Sequence, residues 1–332
     1  MGYTWLSAFN FTMEKVIPTT VLTGYLGAGK TTLLNRILTY EHGKKVAVIV
    51  NEFGEVGIDH QLVINADEEV FEMNNGCICC TVRGDLIRII NNLLRRRHKF
   101  DHLLIETTGL AEPGPVIQTF FVDEDIRRQV SLDAVVTLVD AKHIGQHWQS
   151  EEVEEQIAFA DIVLINKTDL VTDAELQKLN DRIRSMNALC RIYPTQNAEI
   201  EIDRLLGVGA FDLDRVLSID PHFLTKDHDH AHEEDVFSVA LVEEGALDLE
   251  KLNDWLGELL QTNGSNIFRM KGILNIHQQA ERFVFQGVHM MFEGRPDRLW
   301  QKEEARRNEI VFIGRNLDRE ALTRSFRACL VK

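Results

Sequence analysis

The feature that most constrains this chain is a glycine-rich segment, Gly24–Thr31, which reads GYLGAGKT and fits the pattern G-x-x-x-x-G-K-[ST] at every position. A short apolar run, Thr20–Thr23, precedes it, and a pattern typical of a helix, Thr31–Tyr40, follows it. Glycines let such a backbone curl so that its N–H groups point at a bound phosphate. The segment therefore predicts a strand, a phosphate-binding loop and a helix in direct succession.

Individual residues of this loop have separate expected roles. Lys30 is predicted to reach the β- and γ-phosphates of a nucleotide, and the Thr31 hydroxyl to complete the shell of a Mg²⁺ ion. The alternative is a glycine-rich turn that only caps a helix, but the complete motif and its flanks favour phosphate binding. The residues predicted to hold the phosphates are Gly24, Gly27, Ala28, Gly29, Lys30, Thr31 and Thr32.

Short apolar runs alternate with helical patterns from about residue 16 to residue 193. Runs that are nearly all apolar are typical of parallel strands covered on both faces, and the alternation predicts a doubly wound α/β sheet. The further strand candidates are Val46–Asn51, Leu103–Glu106, Ala134–Asp140, Ile162–Asn166 and Cys190–Tyr193. The further helical patterns are Leu86–Arg97, Glu152–Ala160 and Asp173–Asn187.

A second motif, Asn166-Lys167-Thr-Asp169, directly follows one of these strands. The Asp169 carboxylate can accept two hydrogen bonds from the N1–H and exocyclic amine of guanine, whereas adenine offers no such donor pair. A kinase or ligase that shares the phosphate loop is the alternative, and Asp169 argues against it. Together with the phosphate loop, the motif predicts a GTPase in which Asn166, Lys167 and Asp169 bind the base.

The strand that ends at Glu106 continues into Thr-Thr-Gly109. GTPases place an acidic residue here that orients Mg²⁺ through water, and a glycine whose N–H meets the γ-phosphate. Glu106 stands where Asp is usual, and a plain strand-end carboxylate is the alternative. The predicted catalytic residues are Lys30, Thr31 and Glu106, with Thr31 and Glu106 as the Mg²⁺ residues. No arginine finger is evident in the sequence, so hydrolysis is expected to be slow without a partner.

Three of the five cysteines, Cys77, Cys79 and Cys80, lie within four residues of one another. Three thiolates on a loop that enters a helix suit Zn²⁺ or Cu(I), and buried structural cysteines are the alternative. Glu52 and Glu55 follow the second predicted strand, where GTPases place a mobile switch loop. These two carboxylates either are solvated or face the cysteines and join the zinc ligands, and the sequence leaves both possibilities open.

The sequence as a whole predicts that the chain is divided into four segments. Residues 1–15 are an N-terminal extension, 16–207 the GTPase domain with the cysteine loop, 208–235 a linker, and 236–332 a smaller α+β domain. The linker contains His228, His230 and His232, for which weak accessory metal binding and a flexible acidic tract are equally open. The predicted elements beyond Val236 are Leu249–Gln261 and Arg319–Cys329 as helices and Ile267–Ile276, Arg282–Met291 and Glu309–Gly314 as strands.

Charge and composition exclude several classes of partner. Lys and Arg total 36 against 52 Asp and Glu, a formal charge of −16. Such a chain repels a phosphate backbone, so we expect no nucleic-acid partner and no membrane-surface binding. No apolar run approaches the ~20 residues of a membrane helix, and no signal peptide is evident, so we expect a cytoplasmic protein.

The sequence resembles the CobW-like family of P-loop GTPases. The resemblance rests on the GYLGAGKTT loop, the NEFGE segment at 51–55, GCICC-TVR at 76–83, Glu106-x-x-Gly109, NKTD, and RNEIVFIG at 307–314. It implies an α/β P-loop GTPase sheet followed by a smaller α+β C-terminal domain.

The resemblance also implies a function, namely a metallochaperone that uses GTP and Mg²⁺ and delivers Zn²⁺ to a client metalloprotein, with homo-oligomers possible. The cobalamin and nitrile hydratase branches of the family stay open. A zinc buffer or regulator with a structural nucleotide is the alternative from another class.

Overall fold

The computed structural model describes residues 16–51, 70–73, 80–210 and 236–331, and for residues 51, 70–73 and 80–83 it describes the backbone only. The first of its two sheets has seven parallel strands in the order β3-β2-β4-β1-β5-β6-β7. Its strands are β1 Ile17–Gly24, β2 Val46–Asn51, β3 Val70–Met73, β4 His102–Glu106, β5 Val130–Asp140, β6 Ile162–Asn166 and β7 Arg191–Pro194. The helices around it are α1 Lys30–Thr39, α2 Cys80–Leu94, α3 Gly114–Val122, α4 Glu124–Gln129, α5 Glu151–Ala158 and α6 Asp173–Met186.

The predicted doubly wound sheet is confirmed. All five residues of β4 and all five of β6 are buried, because hydrophobic clusters cover both faces of the sheet. This double coverage explains why the strands read as continuous apolar runs rather than as alternating patterns.

Several elements around the first sheet differ from the sequence-based expectation, among them β5, which begins at Val130 rather than Ala134. Strand β3 and helices α3 and α4 were not predicted, and α2 begins at Cys80 rather than Leu86 and ends at Leu94 rather than Arg97. The first turn of α2 reads CTVRG, in which β-branched residues and a glycine obscure helical periodicity. Helix α3 is apolar on almost every side, and α4 has only six residues, so neither shows an amphipathic pattern.

The second sheet is antiparallel, with strand order β11-β10-β9-β12-β8, which confirms the predicted α+β region. The predicted strand Arg282–Met291 was wrong at its end, because a turn at His289 (φ 50°) separates two strands. The second of these carries Gly294, Pro296 and several charges, which hid it from the sequence analysis, and it lies at an edge of the sheet. The elements are β8 Phe237–Glu244, α7 Leu249–Asn263, β9 Ile267–Leu274, β10 Glu281–Val288, β11 Met291–Leu299, β12 Arg307–Gly314 and α8 Arg319–Arg327.

The two sheets contact each other through buried charges. Arg269 and Lys271 on β9 are each 1 % exposed, and the Lys271 ammonium donates to the Asp161 carboxylate at 2.9 Å. Arg269 also donates to Asp161 and to the main-chain carbonyl of Phe159. Because Phe159 and Asp161 directly follow α5, these contacts attach the second sheet to the end of that helix.

The predicted linker begins inside the packed structure. Val208 and Ala210 are buried with the core of the first sheet, and the Asp133 carboxylate accepts N–H bonds from Gly207, Val208 and Gly209. The rest of the linker, residues 211–235, lies outside the described residues. No helix in the described chain is both long enough and apolar enough to span a membrane.

Candidate nucleotide site

The motifs predicted to bind nucleotide follow strands that end at one edge of the first sheet. Leu22 on β1 is in register with Glu106, and Gly24 with Leu138 of β5. Asp140, the last residue of β5, is in register with Asn166. Since the strands are parallel, the structure brings the phosphate loop, the Glu106 segment and the NKTD motif to the same edge, where ligands bind in open α/β sheets.

Glycine is required at two positions of the phosphate loop. Gly24 has a φ of +139°, and a Cβ atom there would lie 2.4 Å from the Leu138 carbonyl oxygen. Gly29 has a φ of +110°, and its Cβ atom would lie 2.5 Å from the Asn166 side-chain nitrogen. The loop thus adopts a conformation that other residues rarely adopt, pressed against neighbouring strands, as a phosphate-binding backbone demands.

The Lys30 ammonium lies inside the curve of this loop. The side chain is 9 % exposed, and Nζ donates to the carbonyl oxygens of Gly24 at 2.6 Å and Tyr25 at 3.2 Å. Lys30 begins α1, and the half-buried Thr31 and the exposed Thr32 follow it in the first turn. The partial positive charge at this helix end and the ammonium both favour a bound phosphate.

The segment after β4 packs directly on the phosphate loop. The Thr107 hydroxyl donates to the Thr23 hydroxyl at 2.8 Å, and the Thr107 N–H donates to the Leu22 carbonyl at 2.9 Å. A Cβ atom on Gly109 would lie 2.7 Å from the main-chain nitrogen of Leu26. Any larger residue at Gly109 would therefore push the segment away from the loop.

The residues present fit a Mg²⁺ ion at this edge. Glu106 is 7 % exposed at the end of β4, and Thr31 lies in the first turn of the helix that follows the neighbouring strand. A carboxylate and a hydroxyl are the oxygen ligands that Mg²⁺ takes beside nucleotide phosphates.

Asn166 connects the NKTD motif to the phosphate loop. Its side-chain nitrogen donates to the Ala28 carbonyl at 3.0 Å. Its side-chain oxygen accepts from the Ala198 N–H at 2.9 Å and from the Thr195 hydroxyl at 3.2 Å. The side chain is buried and therefore organises the site in addition to any contact with the base.

Lys167 is held by Asp140, a residue that the sequence analysis did not assign to the site. Lys167 has a φ of 62°, and its ammonium donates to the Asp140 carboxylate at 2.7 Å. That carboxylate also accepts from the main chain of Lys142 and His143 and from the His143 ring at 3.0 Å. Burial alone would raise the pKa of Asp140, but the hydrogen bonds from Lys167 and His143 outweigh it and lower that pKa. The only sign in the sequence that Asp140 belongs to the site was its position at the end of a predicted strand.

Asp169, the predicted base-reading residue, is exposed in the short turn Thr168–Leu170. We expect Asp169→Asn to lower the preference for GTP over ATP by about a hundredfold, since the acceptor of both guanine donors loses its charge. Competition of ATP against labelled GTP measures this ratio, with Asp173→Asn on α6 as the matched control. An unchanged ratio would refute the base-reading role.

The predicted zinc ligands lie mostly outside the described residues. These are Glu52, Glu55, Cys77 and Cys79, and the same holds for His228, His230 and His232. Cys80 is the first residue of α2, in agreement with the expected loop that enters a helix. Within the described ranges, no group of three or more His, Cys, Asp or Glu residues could hold a metal ion.

The strands that flank the predicted zinc segments are nevertheless described. Val50 of β2 is in register with Glu106, and Asn51 is in register with Met73 of β3. Glu52 directly follows Asn51 in sequence, and the cysteine segment starts four residues after Met73. The glutamate segment therefore begins at the strand end beside Glu106, and the cysteine segment begins one strand further along the same edge of the sheet.

A partly buried acid, Glu155, lies on α5 and faces the charge of Glu112 in the segment that follows Gly109. Burial, reinforced by the nearby Glu112, raises the pKa of Glu155 from 4.5 to about 8, although Arg315 opposes the shift. One oxygen of this carboxyl has no hydrogen-bond partner among the described residues. Between pH 4.5 and about 8 the folded chain keeps a proton that the unfolded chain has released, so stability falls as the pH rises through this window.

We expect Glu155→Gln to stabilise the protein at pH 8.5 by about 2 kcal/mol, because the amide keeps the shape and removes the charge. Below pH 4.5 the difference should vanish, since Glu155 is then protonated in both states. Urea unfolding across this pH range measures the effect, and Glu258→Gln on the exposed face of α7 is the control. Equal stabilities at pH 8.5 would contradict the raised pKa.

The fold and this edge of the sheet define a P-loop GTPase with an appended α+β domain. The family model "CobW/HypB/UreG, nucleotide-binding domain" matches residues 18–194, and the model "Cobalamin synthesis protein cobW C-terminal domain" matches residues 236–330. The chain belongs to the CobW family of GTPases.

Named relatives cover nearly the whole chain. "Zinc chaperone YjiA" of Escherichia coli is 37 % identical over 93 % of this chain and 98 % of its own length. "Zinc-regulated GTPase metalloprotein activator 1" of Schizosaccharomyces pombe is 32 % identical over 91 % of this chain and 83 % of its own. The crystal structure of Zn(II)-bound YjiA GTPase from E. coli superposes with a TM-score of 0.78 at 31 % identity, covering 96 % of this chain and 100 % of that one.

Proposed function

We propose that this GTPase binds Zn²⁺ and delivers it to a client metalloprotein in a nucleotide-dependent way. The zinc ligands are Cys77, Cys79 and Cys80, completed by Glu52 or Glu55. The zinc ion is the cargo, and the bound nucleotide determines how tightly it is held.

The observation that carries the proposal is the register around Glu106. Two chain segments, one bearing the glutamates and one bearing the cysteines, start at β2 and β3, and β2 is the direct neighbour of β4. A change at the γ-phosphate position beside Gly109 therefore has a short path to both segments. In GTPases, switch segments become ordered when the γ-phosphate is bound and lose that order when it is hydrolysed.

The relatives support zinc as the cargo. The E. coli relative is called a zinc chaperone, and the Schizosaccharomyces pombe relative is called a zinc-regulated GTPase metalloprotein activator. The residue types agree with this cargo, since three thiolates with one carboxylate would form a tetrahedral set that suits Zn²⁺.

The chain's own residues explain the hydrolytic step. Lys30 neutralises charge that develops on the transferred γ-phosphoryl group, and the Gly109 N–H donates to an oxygen of that group. Asp169 and Lys167 fix the guanine base, with Asp140 holding the lysine in place. Thr31 and Glu106 would hold Mg²⁺, which supplies neutralisation of phosphate charge when bound.

Repeated hydrolysis of GTP distinguishes a zinc chaperone from a zinc buffer in which the bound nucleotide has only a structural role. We expect repeated rounds of phosphate release from GTP, accelerated when Zn²⁺ is added, and more zinc retained by protein purified with GTP than with GDP. A single round of release that zinc leaves unchanged, with equal zinc content in both preparations, favours the buffer and contradicts the proposal.

A further inference from the structure

A buried glutamine on α5, Gln156, holds the segment that carries Gly109. Gln156 is 1 % exposed, and its side-chain nitrogen donates to the carbonyl oxygens of Gly109 at 3.1 Å and Ala111 at 3.2 Å. One amide group thereby fixes both ends of the turn 109–111. No motif in the sequence pointed to this residue, because it is an ordinary polar position of a predicted helix.

The turn has little freedom on its other side. Gly109 lies so close to the phosphate loop that a Cβ atom would lie 2.6 Å from the Leu26 side chain. The Ala111 N–H also donates to the Thr108 carbonyl at 3.1 Å, which closes the turn. A displacement of the turn by even 1 Å therefore breaks the bonds to Gln156 or changes the contact with the loop.

Helix α5 is held to neighbouring segments by hydrogen bonds, so the position of Gln156 is fixed relative to the sheet. The Thr137 hydroxyl of β5 donates to the Gln156 main-chain carbonyl at 2.6 Å. The Asn187 side chain donates to the carbonyl of Ile157 at 2.8 Å and also to those of Ala158 and Ala160, the last at 2.8 Å. A donor held in this way is preorganised and need not be ordered when the reaction occurs.

The C-terminal sheet contributes to the same anchoring. Arg315, which follows β12, pairs with Glu154, whose side chain is 9 % exposed. At the other end of the helix, Arg269 of β9 donates to the Phe159 carbonyl. The residue that holds the turn thus lies between two contacts that the second sheet makes with α5.

We propose that Gln156 is a positioning residue for GTP hydrolysis, and that the C-terminal domain supports it through α5. By holding the turn 109–111, Gln156 keeps the Gly109 N–H directed at the γ-phosphate. This proposal rests on GTP hydrolysis and on the position of Gly109, not on zinc transfer, so basal hydrolysis in the absence of zinc tests it separately from the proposed delivery.

The first test is Gln156→Met, which keeps the length of the side chain and removes its donor. We expect kcat to fall about tenfold, while KM for GTP and the affinity for GDP change less than about twofold. Gln177→Met is the matched control, because that glutamine lies on the exposed face of α6 and donates only to Asp181 among the bonds described. An unchanged kcat, or a loss confined to KM, would overturn the proposal.

The second test removes the pair on the other side of the helix. Glu154→Gln combined with Arg315→Met removes both charges of this pair together, so that neither is left without the other, and we expect kcat to fall about threefold. Added to Gln156→Met, this change should cause no further loss, because the turn is already released from the helix. A multiplicative loss of about thirtyfold would overturn the role of the C-terminal domain.

A purely structural role for Gln156 predicts a different pattern. In that case Tm falls and kcat of the folded fraction stays at the parental value, which contradicts the proposal. If Gln156→Met does not fold, the charge-pair variant alone decides the outcome, since an unchanged kcat in a folded protein would equally contradict it.

Discussion

Lys30→Ala is expected to abolish GTP hydrolysis, lowering kcat by about a thousandfold. The Lys30 ammonium lies within the phosphate loop on the carbonyls of Gly24 and Tyr25. In the proposed mechanism it neutralises the charge that develops on the transferred group. Removing one preorganised charge or donor from such a position typically costs about a hundredfold to a thousandfold in rate. The core below the loop consists of other side chains, so the fold should persist.

Single-turnover phosphate release with saturating GTP measures this effect independently of nucleotide affinity. Lys178→Ala, on the exposed face of α6, is the matched control and should hydrolyse GTP at the parental rate. Circular dichroism and thermal unfolding establish that the Lys30 variant is folded. Hydrolysis at the parental rate by a folded Lys30→Ala protein would show that Gly24–Thr31 does not hold the phosphates.

Replacing Cys79 and Cys80 together by serine is expected to eliminate tight zinc binding. A structural zinc site with four protein ligands is worth about 10–16 kcal/mol, so the loss of two thiolates should weaken binding by about 10⁴-fold. Serine hydroxyls stay protonated at neutral pH and replace thiolates poorly. Any stimulation of GTP hydrolysis by zinc should disappear when the two thiolates are lost. Basal GTP binding should persist, since GTP binding depends on the phosphate loop and the NKTD motif.

Zinc titration against a chromophoric chelator of known affinity measures the loss, and Cys190→Ala is the control. Burial raises the pKa of the Cys190 thiol to about 12, so this cysteine carries no thiolate to offer a metal at neutral pH. We expect the control to bind zinc as the parent does. Tight binding retained by the double serine variant would remove the cysteine segment from the zinc site.

The sequence predicted the parts of the site that depend on local chemistry. Gly24, Gly29 and Glu106 stand where their motifs place them, because a phosphate loop and a strand-end carboxylate need particular residue types at particular spacings. The parallel sheet was equally predictable, since burial on both faces leaves an apolar run in each strand.

The parts that escaped prediction depend on contacts between distant segments. Asp140 joins the site only because β5 and β6 are neighbours, and Gln156 only because α5 covers the turn 109–111. Arg269 and Lys271 are buried charges in a strand, stabilised by Asp161 more than a hundred residues earlier. Hydrophobic periodicity and motif spacing do not indicate which residues distant in sequence will contact each other.

The central claim is that nucleotide state controls zinc affinity, and a zinc titration in two nucleotide states tests it most directly. The protein is titrated with Zn²⁺ in the presence of a non-hydrolysable GTP analogue and again with GDP, and the two dissociation constants are compared. A coupling free energy of about 2 kcal/mol, within the usual allosteric range, corresponds to about thirtyfold weaker zinc binding with GDP. We expect a difference of this size, and equal dissociation constants in the two states would contradict nucleotide-dependent delivery even if the cysteines bind the ion.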